Sequence, residues 1–250
     1  MKVFLAGAGG AIGRRLTPLL CAAGHTVVGT TRSAEKADAI AALGAEPVVV
    51  DVFDAARLMD AVKAAAPAVV IHQLTDLAFA PGSPQYAEGL ARNARLRIEG
   101  TRNLAAGARA AGVTRMIAQS IAWTYAPADG VRVESDALDD DAAKATTIDA
   151  VRVLEETTLA MPEGIVLRYG FLYGPGTWYE AAVKPPSVHV DAAAHAALLA
   201  LTKGKPGVYN IAEDDGYCSS DKAKRDLGFD AGVRSRRHPE AAARSAALEG

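Results

Sequence analysis

Residues 1–13 read MKVFLAGAGGAIG. The apolar run Val3, Phe4, Leu5, Ala6 leads into Gly7, Gly10 and Gly13, and a helical pattern follows to Ala23. This is a strand, a tight turn and a helix start, in that order. Gly7 allows the turn, Gly10 lets phosphates approach the backbone, and Gly13 lets the helix pack close to the strand. The free N–H groups and positive dipole end of the helix then face an anion. The stretch predicts a cradle for a dinucleotide pyrophosphate, with Gly7, Gly10, Ala11, Ile12 and Gly13 as its contacts. A glycine triplet alone is a weak signal, and its place between strand and helix supplies the required context.

Outward from this stretch, apolar runs alternate with alanine-rich helical patterns. Strands are predicted at 2–6, 26–30, 47–50, 68–72, 115–119, 164–168 and 208–211, and helices at 11–23, 34–43, 55–65, 86–111 and 148–161. Continuous Val/Ile strands are buried on both faces, so the sheet is expected to be parallel, with helices on each side. Right-handed crossovers then give an α/β, doubly wound, Rossmann-type sheet of about seven strands. Gly24, Gly44 and Gly112 each stand between a helix pattern and a strand, as stop residues do. After Arg168 the alternation fades. Residues 1–170 are expected to form the nucleotide-binding domain and 171–250 a small loop-rich lobe for substrate, interleaved with the last strand and ending in an Arg/Ala-rich tail from Ala231.

The 250 residues are 50% hydrophobic, enough for a sizeable core, and carry a net charge of -2. That balance offers no basic excess for nucleic acid. No apolar run has the length of a membrane span, and the N-terminal run is too short for an export signal. The two cysteines, Cys21 and Cys218, are expected to be reduced in a cytoplasmic protein. His189, Asp191 and His195 fit no common ligand spacing, so no metal is expected.

The second strand ends in Thr30, Thr31, Arg32 and Ser33, without the carboxylate that would take the ribose hydroxyls of NAD. Arg32 between hydroxyls suits a 2′-phosphate, so NADP is expected over NAD, and Arg14 and Arg15 are placed to add charge. Asp51, followed by Val52, stands where it can accept from the adenine amino group or cap the next helix.

With these features in place, the chain from residue 1 to about 230 resembles the extended or atypical short-chain dehydrogenase/reductase superfamily, the group containing NAD-dependent epimerase/dehydratase proteins. The resemblance rests on Gly7, Gly10 and Gly13, the VVIH strand ending in His72, the EGTRNLAAGARAAGV helix, VLRYGFLYGPGT with Arg168 and Tyr173, PSVHVDAAAHAALLAL, and YNIAEDD. It implies that His72, Gln73 and Tyr173 lie along the cofactor, and that the long helices 86–111 and 148–161 can pair two copies in a homodimer. It also implies a Tyr–Lys pair one helical turn apart as proton relay. No YxxxK occurs in this chain; Thr147 and Val151 stand at the matching positions, and Arg97 stands where the family has an asparagine.

Three readings follow. In one, an enzyme uses a rearranged acid, with Tyr125 assisted by Ser120 as the first choice. In another, hydride passes to a substrate that needs little acid help. In the third, the chain binds NADP as a redox sensor without catalysis. Trp123, Tyr169, Phe171 and Trp178 crowd into loops after sheet strands and predict a small-molecule pocket. The short segment from Tyr179 to Ser187 points to a small carbonyl, imine or enone compound.

Overall fold

The computed structural model describes residues 1–77 and 82–235. Most of the tail noted from Ala231 onward, residues 236–250, therefore lies outside the described residues. The first strand, β1 (Lys2–Ala6), lies third from one edge of a seven-stranded sheet. Beside it run β2 (Thr26–Thr31) and β3 (Glu46–Val49) on one side; on the other run β4 (Val69–His72), β5 (Arg115–Ile121), β6 (Glu163–Tyr169) and a late strand, Gly207–Ile211. Every pairing in this sheet is parallel. The order reverses between β1 and β4, which opens a crevice at the C-terminal edge of the sheet.

The crossovers are α1 (Gly13–Ala22), α2 (Ala37–Ala41), α3 (Ala55–Ala65), α4 (Tyr86–Arg95), α5 (Thr101–Ala110) and α6 (Ala145–Leu159). The expected 86–111 helix is present, with one feature periodicity did not show: Leu96–Gly100 forms a π turn joining α4 to α5. The expected 34–43 helix is a 3-10 turn at Ala34–Lys36 followed by α2. Gly24, Gly44 and Gly112 take φ of +80°, +93° and +74°, the left-handed stop conformation.

The pleat of β1 divides the core. Val3 and Leu5 face α1 and a seventh helix, α7 (Val190–Leu199), whereas Phe4 and Ala6 face α3 and α5. All four are essentially inaccessible, and each large apolar side chain so placed contributes about 1.5–3 kcal/mol. Ala105 and Ala108 pack inside the chain, in the same cluster as Leu58 and Val62 of α3.

Alanines of α7, with Tyr209, Leu227 and Phe229, join the cluster under α1, because α7 lays a nearly all-alanine face flat against that helix. The shorter β7 (Phe171–Tyr173) and β8 (Ser187–His189) pair in parallel apart from the main sheet; β9 is the Gly207–Ile211 strand, and α8 (Asp221–Leu227) follows it. Among the described residues no helix is long and apolar enough to cross a membrane.

Candidate functional site

The turn after β1 is built on contacts that leave no room for side chains. Gly7 has φ +97°, and a Cβ there would stand 2.6 Å from the Gln73 carbonyl oxygen. A Cβ on Gly13 would stand 2.1 Å from the Gly7 carbonyl oxygen. The Gly10 amide donates to that same oxygen at 3.0 Å and closes the turn. Gly9 is open on its outer side, where a Cβ would meet nothing within 4 Å. The amides of Ala11 and Ile12 find no acceptor among the described residues and stand at the start of α1. Free amides, a helix N-terminus and an open glycine edge are features that suit an anion.

A cleft of about 450 Å³ begins at this turn and runs between the ends of β1, β2 and β4. Gly7, Gly10, Thr31, Arg32, Val52 and Gln73, all expected at a cofactor, line it. Its outer end carries Arg14, Arg32 and Lys36, and no carboxylate lines it. Arg14 is held by its own turn, donating to the Gly9 carbonyl at 2.9 Å. Arg32 is exposed, as is Lys36, and neither makes a hydrogen bond or ion pair among the described residues. The Thr31 hydroxyl accepts from the Ser33 amide at 3.1 Å and fixes the bend that presents Arg32. Lys36, the last residue of the 3-10 turn Ala34–Lys36, also lines the cleft and was not anticipated.

Arg15 is engaged away from the cleft: its Nε pairs with Asp191 at 2.7 Å, and it also donates to the Pro175 carbonyl. Asp51 is exposed, between Val50 and Val52 of the cleft, and its Oδ1 accepts from the Phe53 amide at 2.9 Å, so it does not cap the next helix. The cap of α3 is Asp54, which accepts from the Arg57 amide at 3.1 Å.

At the inner end Gln73 is buried and its Oε1 has no partner, while its Nε2 lies 3.4 Å from the Tyr169 hydroxyl. Burial holds that phenol well above its ordinary range. A buried amide with one unmet polar atom, next to a glycine turn that admits no Cβ, fits a nucleotide cofactor with a polar head at this end. His72 does not reach the cleft, contrary to expectation. Its Nδ1 accepts from the Leu74 amide at 3.2 Å, which leaves Nε2 to donate to Thr101 Oγ1 at 3.0 Å. Burial first, and the Arg97 charge second, push its pKa down to about 3, so it is neutral and shapes the loop that carries Gln73.

Ser120 and Tyr125, the expected acid pair, are engaged elsewhere. Ser120 Oγ donates to Glu155 Oε1 at 2.7 Å. Glu155 holds Arg168 through two bonds, Nε to Oε1 at 2.8 Å and Nη2 to Oε2 at 2.6 Å. Arg168 Nη1 donates to the Tyr125 hydroxyl at 2.8 Å, and that hydroxyl donates to Asn210 Oδ1 at 2.7 Å. Tyr125 is 3% exposed, and burial, partly offset by Arg168, pushes its pKa up to about 12. The chain of bonds ties α6 to β5, β6 and β9. Tyr125 is thereby a brace, because its one proton is committed to a buried amide and its lone pair to a cation. Val151 is wholly buried, and among the described residues no tyrosine hydroxyl is hydrogen-bonded to a lysine ammonium.

The expected aromatics divide. Trp123 and Phe171 stack with centroids 5.3 Å apart and planes 5° from parallel, and Lys184 Nζ lies 4.6 Å over the Phe171 ring. This half-exposed shelf joins the turn after β5 to the start of β7. Tyr169 is buried. Trp178 is exposed and donates to the Leu77 carbonyl at 3.1 Å, joining the loop after β7 to the loop after β4. Tyr173 does not line the cleft: its hydroxyl donates to Glu213 and accepts from Arg234 at 2.8 Å. His189 caps α7, its Nδ1 accepting from the Asp191 amide at 3.2 Å.

A model of the NAD(P)H-binding family matches residues 7–172. A 3-diazoavenalumate denitrifying reductase from a Streptomyces species is 38% identical over 239 residues, covering 86% of this chain and 77% of that protein. The UDP-glucose 4-epimerase of Thermotoga maritima, solved with UDP-glucose, superposes with a TM-score of 0.75 at 18% identity, over 94% of each chain. MoeE5, solved with UDP-glucose and NAD, gives 0.74 at 20% identity over 98% of this chain and 100% of that one. These two structures share the fold.

Proposed function

Because the chain belongs to the NAD(P)H-binding family and has the fold of the epimerase/dehydratase-like short-chain dehydrogenases, we propose that it is an NADP-dependent reductase whose substrate requires no proton from the protein. The observation that carries this is the state of the acid candidates: Tyr125 and Ser120 are locked in a buried network, and Val151 supplies no charge beside Thr147. The reduced cofactor supplies a hydride. The glycine turn and the amides of Ala11 and Ile12 hold its diphosphate, and Arg14, Arg32 and Lys36 draw a 2′-phosphate to the outer end of the cleft. Gln73, with its unmet amide atom, fixes the polar head at the inner end. The Trp123–Phe171 shelf offers a flat apolar face to an aromatic substrate.

The name of the Streptomyces relative extends the expected substrates from carbonyl, imine and enone compounds to an aryl diazo compound. For an aryldiazonium group the electron pair of the hydride forms the new C–H bond, and the pair of the C–N bond leaves with dinitrogen. Charge balances without proton transfer, so orientation against the cofactor carries the acceleration. A tyrosine–lysine couple would have nothing to do at such a centre.

The test uses cofactor carrying deuterium at the transferable position and an aryldiazonium carboxylate. One deuterium in the product ring per cofactor oxidised is the expected outcome. Product formed without deuterium, or no oxidation across diazo, carbonyl, imine and enone compounds, overturns the reading and favours an NADP sensor.

Cofactor choice is tested separately by calorimetry. NADPH is expected to bind tighter than NADH, and Arg32→Ala to weaken NADPH about ten- to a hundredfold, the equivalent of one charge-assisted contact, while NADH changes little. Equal affinities in the unaltered protein would remove Arg32 from this role.

A further inference from the structure

Arg97 is the one cation in the core of the described residues that has charge to give and nothing in the protein to give it to. It lies in the π turn Leu96–Gly100, a distortion frequent at functional positions in helices, and only 7% of it is exposed. It makes no hydrogen bond and no ion pair among the described residues. Its nitrogens are absent from the fully buried polar atoms without a partner among the described residues, which are Gln73 Oε1, Ser83 Oγ and His195 Nδ1, so the guanidinium keeps a little exposed surface.

The surroundings locate it. Arg97 is near enough to His72 to oppose its protonation and near enough to Glu155 to feel its charge. Thr101, which holds His72, is four residues further along. The helix from α4 to α5 runs against the direction of the strands, so Arg97 stands about 6 Å nearer the C-terminal edge of the sheet than Thr101 does. That is the edge at which Gln73 ends the cleft and at which the Trp123–Phe171 shelf lies. Glu155 does not neutralise Arg97, because both its oxygens are taken by Arg168 and Ser120. The buried set Arg97, Arg168 and Glu155 therefore keeps one uncompensated positive charge. Burial of such a charge is unfavourable and lowers the affinity of Arg97 for its proton, to a pKa of about 10. An unpaired guanidinium presents a planar fork of N–H donors, the geometry that takes a carboxylate through two parallel bonds.

We propose that Arg97 is the binding residue for a carboxylate of the substrate, seated beneath the inner end of the cofactor cleft. This deepens the reductase reading and rests on it for the identity of the ligand as substrate. The carboxylate would enter beside the nicotinamide end, neutralise Arg97, and hold an aromatic ring of the same molecule against the Trp123–Phe171 shelf. A small aromatic acid satisfies both demands, and a neutral analogue satisfies only one.

The experiment measures binding without turnover, so it stands or falls apart from hydride transfer. Protein saturated with NADP+ is titrated calorimetrically with 4-hydroxybenzoate and with 4-hydroxybenzamide. The acid is expected to bind at least about tenfold tighter, the equivalent of one charged contact. Arg97→Met and Arg97→Gln are expected to erase that preference, to leave NADP+ affinity unchanged, and to hold or raise the urea midpoint, since each removes an unpaired buried charge. Arg97→Lys is expected to keep part of the preference. The proposal is overturned by equal binding of acid and amide to the unaltered protein, by a preference that survives in Arg97→Met, by a fall in NADP+ affinity with the preference intact, or by a loss of stability in both neutral variants, which would make Arg97 a structural residue.

Discussion

Replacing Arg168 by methionine is expected to lower stability by about 3–5 kcal/mol, among the largest effects available from one side chain in this protein. The reason is the residue it abandons. Glu155 is 6% exposed, and both its oxygens are directed at the guanidinium, with Ser120 Oγ as the only other donor on them among the described residues. Without Arg168 the carboxylate keeps only the Ser120 hydroxyl as a hydrogen-bond donor among the described residues, and Tyr125 loses the cation on its hydroxyl. Burial by itself would make Arg168 easier to deprotonate; its bonds to Glu155 more than reverse that and hold it charged. The double variant Arg168→Met, Glu155→Leu removes both charges and is expected to recover a large part of the loss, because a buried pair gives back in Coulomb attraction little more than desolvation takes. Urea midpoints of the single and double variants check this. A single variant within about 1 kcal/mol of the unaltered protein, or a double variant worse than the sum of the singles, would show that the bonds do not carry the brace between α6 and β9.

The same network shows where sequence reading reached its end. The Rossmann order, the parallel sheet and nearly every element were legible, because period-two and period-3.6 patterns depend only on which face is buried, and the glycine stops mark the ends. The glycine turn was legible for a related reason: Gly7 and Gly13 are demanded by backbone contacts within one turn. The roles of Ser120, Tyr125, His72 and Tyr173 were not. Each is settled by partners 29 to 85 residues away, Thr101 for His72, Glu155 for Ser120, Glu213 for Tyr173 and Asn210 for Tyr125. Nothing local to a tyrosine says whether its hydroxyl faces a cleft or an asparagine. Arg15 is settled in the same way, by Asp191, 176 residues further along the chain. Arg97 gave a partial signal, a charged residue between Leu96 and Ile98 on a helix with otherwise solvated arginines, yet its burial depends on the π turn, which periodicity does not report.

Gly13→Ala tests the cradle, and its expected effect is larger still on binding. The added methyl carbon would lie 2.1 Å from the Gly7 carbonyl oxygen and 2.7 Å from the Ala8 carbonyl group. All these atoms are backbone, so no rotamer change relieves the contact; α1 must move away from β1 or the turn must open. Either movement disturbs Leu16 and Leu20 of α1, which are fully buried in the core cluster, and a loss of about 3 kcal/mol or more follows, at the upper end for an overpacked site. Binding suffers separately. The amides of Ala11 and Ile12 point where they do only because the helix starts that close to the strand. Loss of one or two charge-assisted bonds to a diphosphate is expected to weaken NADPH about ten- to a thousandfold. Gly9→Ala supplies the comparison, for its methyl would meet nothing within 4 Å and the urea midpoint should stay where it was. Were Gly13→Ala as stable as Gly9→Ala, with NADPH held as tightly as before, the close contact of α1 with the glycine turn would not be what shapes the phosphate site, and the cofactor reading would lose its foundation.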